Sequence, residues 1–308
     1  MFNMAMGFAA IADSNYTGEI PGATTGYFAG GIDLSTTDGL TFATDTTTQV
    51  TKGALTGVRY GSAGANSTTI GYFAGGNAFT ATTDGLIFAS DTTAQVTKGA
   101  LSQARRYLAG ANSTTIAYFS GGDNGGDPLA TTDGLTFATD TTTQVTKGAL
   151  SQTRRWVAGA NSTTIAYFAG GTNGGANYST TEGLTFSTDT TTQVTKGALT
   201  GVRYASAGAN SDTIAYFAGG NAGSDVTTTD GLIFASDTTA QVTKGALSQA
   251  RSTLAGANST TIGYFSGGDN GGSPVVTTDG LTFATDTTAQ VTKGALSQAR
   301  RYLAGCEG

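Results

Sequence analysis

An all-β chain folded as a six-bladed β-propeller of four-stranded antiparallel blades is the architecture this sequence predicts, and three observations predict it. The first is a repeat. An aromatic pair runs toward a double glycine at Tyr27-Phe28, Tyr72-Phe73, Tyr118-Phe119, Tyr167-Phe168, Tyr216-Phe217 and Tyr264-Phe265. The double glycines begin at Gly30, Gly75, Gly121, Gly170, Gly219 and Gly267, so the steps are 45, 46, 49, 49 and 48 residues. That spacing is one supersecondary unit per repeat, and such a unit cannot bury its own apolar faces alone. The second is composition: 47 glycines, three prolines and 12% charged residues in 308, with the Thr, Tyr, Phe, Val and Ile that favour strands and no apolar run at helical spacing over three turns. The third is punctuation. Each unit divides into four short strand-like segments, and four strands repeated six times is the arithmetic of a propeller.

The second unit shows the elements in order. Arg59 to Ala65 (RYGSAGA) reads as an innermost strand of small residues, suited to the axis where blades crowd. Asn66-Ser67 is a turn pair. Thr68 to Gly75 reads as the second strand, with Ile70 and Tyr72 on one face and Phe73 on the other, so both faces are covered by neighbouring blades. Gly75-Gly76 ends it, because glycine permits positive φ. Asp84-Gly85 is a hairpin-turn signal and predicts a tight turn, followed by a third strand at Leu86 to Ser90. Asp91-Thr92-Thr93 turns the chain again into a fourth strand at Gln95 to Ala100.

Closure is also predicted. Arg300 to Gly305 repeats the innermost strand of Arg105 to Gly110, whereas the first unit starts at its second strand near Tyr27. The simplest solution places the C-terminal strand in blade one and removes the open edges. An open β-solenoid is the competing architecture. Residues 1–22, which no repeat accounts for, read as an attachment leader, and residues 23–308 as the propeller.

Composition excludes several functions. The net charge is −6, and all 15 Lys and Arg side chains fall within the repeats, which speaks against nucleic-acid binding. Cys306 is the single cysteine, so neither an intramolecular disulfide nor a thiolate cluster can form. No apolar run approaches the ~18–20 residues of a membrane span, and the apolar start lacks a basic n-region. Histidine is absent and Glu occurs only at 19, 182 and 307, which leaves general acid–base and nucleophilic catalysis little to work with. The chain is expected not to be an enzyme and to carry no cofactor.

The stretch ARRYLAGANSTTIAYFSGG (104–122), followed by DGLTFATDTTTQVTKGALSQTR (133–154), resembles the kelch repeat. Kelch units have an Arg-led inner strand, an aromatic second strand ending in Gly-Gly, and two outer strands joined by a turn after an Asp. The usual kelch tryptophan on the fourth strand is missing; Val50, Val96, Val145, Val194, Val242 and Val291 stand there. The repeats are also similar to kelch-like units in structural proteins of tailed bacteriophages. The resemblance covers about residues 23–305. It implies a virion component, such as a tail, fibre or decoration protein, that attaches to other virion proteins or to its own copies through residues 1–22. A secreted or surface lectin-like adhesin that takes a host-surface glycan, and an extracellular filament subunit, are the alternatives.

Repeated residues read first as scaffold. Arg59, Arg105, Arg154, Arg203, Arg251 and Arg300 admit an anion-binding ring or, in the structural reading, pairing with an Asp or a strand-end carbonyl of a neighbouring blade. Lys52 and its five counterparts read as a solvated outer face. Asp45, Asp91, Asp140, Asp189, Asp237 and Asp286 read as caps of the D-T-T turns. Candidate binding residues lie where the repeats differ. The loops after the double glycine vary and should emerge on one face; they contribute Asp123, Asn124, Asp127, Asn173, Tyr178, Asp225, Asp269 and Asn270. Asp123, Asp127 and Asp269 match no strong calcium loop, so no metal is expected. The innermost segment varies at Gly61, Tyr107, Trp156, Ala205, Thr253 and Tyr302. Its aromatics, Tyr107, Trp156 and Tyr302, either stack on sugar rings or plug the axis.

Overall fold

The computed structural model describes residues 23–77 and 79–308; the leader assigned to attachment therefore lies outside the described residues. Six four-stranded antiparallel sheets form a six-bladed propeller. Blade two has the strands Ala63–Asn66, Ile70–Ala74, Thr83–Ile87 and Val96–Lys98 in order from the axis outward. Blades three to six repeat this order, with innermost strands Ala109–Asn112, Ala158–Asn161, Ala207–Asn210 and Ala255–Asn258. Blade one is closed by the C-terminal strand: Ala304–Glu307 pairs antiparallel with Thr25–Ala29, with Tyr27 opposite Cys306. The ring is thus sealed by two ends of the chain distant in sequence.

The apolar core lies between blades. Tyr72 of blade two packs with Phe119 and Leu135 of blade three, Tyr118 with Phe168 and Leu184, and so around to Tyr264 with Phe28 and Leu40. A single unit presents Tyr to one neighbour and Phe to the other, which is why it needs both. Innermost strands touch through glycine. A Cβ on Gly64 would lie 2.1 Å from the Gly305 carbonyl oxygen, so only glycine permits this approach.

Several repeated residues act differently from the expectation. Asp84-Gly85 makes no turn; it lies inside the strand Thr83–Ile87, and Phe88–Ser90, expected to extend the strand, is a turn of 3-10 helix. The Asp side chain explains why. In blade three Arg105 and Asp133 are both 0% exposed and meet at 2.9 Å. Arg105 also donates to the carbonyls of Gly121, Thr131 (2.8 Å) and Phe119 (3.1 Å). A buried charge is tolerated only when paired and hydrogen-bonded in this way. Burial pulls the Arg105 guanidinium below its ordinary pKa, with Asp133 opposing the shift. The pairing partner is an acid, as the structural reading held, but of the same blade. The arginines are therefore interior clamps and not an anion-binding ring. Gly121 and Thr131 flank the variable loop, so the clamp fixes both of its stems.

The turn aspartates and the lysines join blades. Asp91 accepts from Tyr27 OH at 2.8 Å and from Lys52 Nζ at 2.8 Å, both on the preceding blade. The set closes at Asp45, which takes Tyr264 OH at 2.9 Å and Lys293 Nζ at 2.8 Å. The 3-10 turn adds a ring: Phe88 stacks on Tyr27 with centroids 5.3 Å apart. Burial, then the nearby Asp91, pushes the Tyr27 hydroxyl well above its ordinary pKa. Period-2 and turn reasoning could not assign these partners, because they lie one blade away.

Candidate functional site

At the innermost edge each blade begins with two residues before its small-residue strand: Arg301-Tyr302 in blade one, then Tyr60-Gly61, Arg106-Tyr107, Arg155-Trp156, Tyr204-Ala205 and Ser252-Thr253. The second of each pair has positive φ, from 56° at Trp156 to 68° at Gly61. Glycine adopts this region freely; Trp, Tyr and above all the β-branched Thr253 do so at a cost of about 1–3 kcal/mol each. The conformation aims their backbone groups sideways. Tyr107 N–H donates to Gly61 O, Trp156 to Tyr107, Ala205 to Trp156, Thr253 to Ala205, Tyr302 to Thr253, and Gly61 to Tyr302. These bonds of 2.6–2.9 Å close a ring around the axis.

That ring carries an arc of aromatic side chains. Tyr302 and Tyr60 have centroids 5.7 Å apart, Tyr60 and Tyr107 6.3 Å, Tyr107 and Trp156 4.8 Å, and Trp156 and Tyr204 5.2 Å. Tyr107 also meets Tyr302 at 5.6 Å, drawing the arc across the mouth. Five blades contribute one aromatic each, by one of the two positions and never both; blade six, with Ser252-Thr253, contributes none. Beside that gap lies a cleft of about 350 Å³, lined by Trp156, Tyr204, Tyr302, Asn221, Asp225 and Asp269 together with Ser224, Ser252, Thr253 and two loop glycines.

The variable loops reach this face because their first residues pair with the axial segments. Arg106 N–H bonds Asp123 O, Arg155 bonds Thr172, Tyr204 bonds Asn221, and Ser252 bonds Asp269. Four expected binding residues therefore converge on the cleft: Trp156, Tyr302, Asp225 and Asp269. Asp225 is held by Asn221 Nδ2 at 3.1 Å and by the Gly271 N–H at 2.9 Å, which ties the loops of blades five and six together. Asp269 pairs with Arg301 of the next blade.

The other expected residues are placed elsewhere. Tyr107 is part of the aromatic arc. Asp123 is 1% exposed and lies between Arg106 (3.3 Å) and Arg155 (2.8 Å). Asn124 accepts the N–H groups of Gly126 and Asp127 within its own loop, and Asp127 is exposed at its tip. Asn173 caps its own loop and donates to Tyr178 OH at 2.7 Å. Asn270 donates to Gln249 at 3.0 Å. Sequence reading missed Tyr204, Asn221 and Ser252. The alternation of aromatic and small residue between the two axial positions was the signal that could have found Tyr204.

Among the described residues, no group of three or more Cys, Asp or Glu side chains has metal-holding geometry. No helix among them is long and apolar enough to cross a membrane. Cys306 is buried against the blade-two interface, and burial pushes its thiol well above the ordinary range, which makes it unreactive.

No protein-family model matches the sequence, and no curated protein matches it. Among solved structures, one titled "Structure of YjhT" aligns with a TM-score of 0.67 at 13% identity, covering 80% of this chain and 87% of that one. At that identity the likeness shows the fold alone.

Proposed function

We propose that this chain is a non-enzymatic binding module whose working surface is the face carrying the variable loops and the aromatic arc. Following the resemblance of its repeats to those of tailed-phage structural proteins, we assign it to a virion surface, as a tail, fibre or decoration protein. The observation that carries the reading is the division of labour in the blade. The same clamp of arginine and carboxylate, with Glu182 in place of Asp in blade four, and the same Tyr–Asp–Lys joint recur around the ring, while sequence variation collects on one face. A rigid scaffold with variable loops is a usual basis for recognition. A chain without histidine, whose cleft carboxylates are both engaged, supports binding over catalysis.

The test is the native particle. Purified virions analysed by mass spectrometry should contain the chain at a fixed ratio to the other structural proteins, and electron microscopy should place its loop face outward. Recovery of the chain only from culture supernatant or cell surfaces would overturn the virion assignment in favour of the adhesin reading.

A further inference from the structure

We propose that the cleft beside blade six binds a neutral pyranose, such as the terminal sugar of a glycan, with its C–H face on the aromatic rings and its hydroxyls toward Asn221, Asp225 and Asp269. This rests on the binding-module reading and gives that module a ligand class. The volume of about 350 Å³ falls within the roughly 300–1,000 Å³ of small-molecule sites. The cleft exists because Ser252-Thr253 leaves out the ring that every other blade supplies, so the open side of the arc faces loop residues instead of another aromatic.

The lining has the two halves a sugar needs. Trp156, Tyr204 and Tyr302 line one side of the cleft with aromatic surface, partly shared with Arg155 over Trp156 and Arg301 over Tyr302, and aromatic surface suits the weakly positive C–H groups of a pyranose. The polar half is fixed in advance. Asp225 is held by Asn221 and the Gly271 N–H, and Asp269 by Arg301. Ionised carboxylates only accept, while an amide both donates and accepts, a set that matches vicinal hydroxyls.

Charge narrows the class. The lining holds two carboxylates, Asp225 and Asp269, and the guanidiniums beside it are already matched, Arg301 by Asp269 and Arg155 by Asp123, which disfavours carboxylated, sulfated or phosphorylated sugars. An organic cation is less suited: Asp269 is already matched by Arg301, and guanidiniums already lie over the Trp156 and Tyr302 rings.

Trp156 is the one tryptophan of the chain, so its fluorescence reports on the cleft. The full chain is titrated with the methyl glycosides of glucose, galactose, mannose and N-acetylglucosamine, and separately with N-acetylneuraminic acid and choline. The expected result is a saturable change with at least one neutral glycoside, with a dissociation constant on the order of 1 mM. Ser252→Tyr, which supplies the missing ring as Tyr204 does in blade five, should weaken binding at least roughly tenfold without lowering the melting temperature. Asp225→Asn, which keeps the side-chain shape, should weaken it too and serves if Ser252→Tyr does not fold. No saturable response to any neutral glycoside, a response that survives both substitutions, or saturation by choline or the acidic sugar alone overturns the proposal. If no glycoside binds while virions still carry the chain with its loop face outward, the sugar proposal falls and the binding-module reading stands.

Discussion

Removing the Asp133 carboxylate should cost this propeller about as much as any single change to it. Arg105 and Asp133 are both fully buried. Asp133→Ala leaves a guanidinium without its counter-charge in a dry interior, a loss of about 3–5 kcal/mol. It also orphans Ser102, whose N–H and hydroxyl donate to Asp133 at 3.0 and 2.7 Å; Ser102 is exposed, so water replaces most of that loss, and a total of about 5 kcal/mol follows. Unfolding entropy of about 2.1 cal/mol/K per residue gives about 0.65 kcal/mol/K for this chain, so the melting temperature should fall by about 8 °C. The assay is calorimetry with a urea denaturation series. The double variant Arg105→Met, Asp133→Leu should recover most of the loss, because the buried charge leaves with its partner. Hydrogen exchange in loop 123–130 should rise in Asp133→Ala, since Arg105 also grips the loop stems at Gly121 and Thr131. A melting temperature within about 2 °C of the parent, or a double variant no better than the single one, would refute this account.

Three further outcomes follow from the same contacts. Deleting residues 299–308 removes Arg300 from buried Asp38 and opens the edge of Thr25–Ala29, so the melting temperature should drop sharply or light scattering should show aggregation; an unchanged melt would argue against ring closure. Tyr27, Tyr72, Tyr118, Tyr167, Tyr216 and Tyr264 all have hydroxyl pKa values raised above the ordinary 10.0, by burial first in each and by an Asp of the next blade after it. Their stabilising effect is fully present below pH 10 and is lost as pH rises above it, because the unfolded chain ionises first; thermal melts at stepped pH should show a steep fall beginning there, and a flat profile through pH 11 would count against the buried joints. Ala205→Gly relieves an alanine held at φ 58° and should stabilise by about 0.5–1 kcal/mol in denaturant; a loss of stability would show that the axial ring carries no such strain.

The architecture was legible in the residues because a propeller is written as a period. Gly30-Gly31 and its copies mark the units, and the C-terminal copy of the innermost strand names its place in blade one. Less was legible where a residue's partner sits far along the chain. Asp84-Gly85 carries a turn's chemistry, yet Arg59 draws the carboxylate into a buried strand. Asp91 looked sufficient to its own turn, yet it holds Tyr27 and Lys52 of the blade before it.

The candidate site divides along the same line. By itself the sequence determined how many blades there are, which positions vary, and that Trp156, Tyr302, Asp225 and Asp269 belong to varying segments. Only the tertiary structure decided that these four share a cleft with Tyr204, and that Asp123 is spent on two arginines. The physical reason is that local preference sets what each unit becomes, whereas closing the ring sets which units become neighbours. Contacts made across blades, between residues distant along the chain, depend on that closure and leave no mark in either stretch read alone.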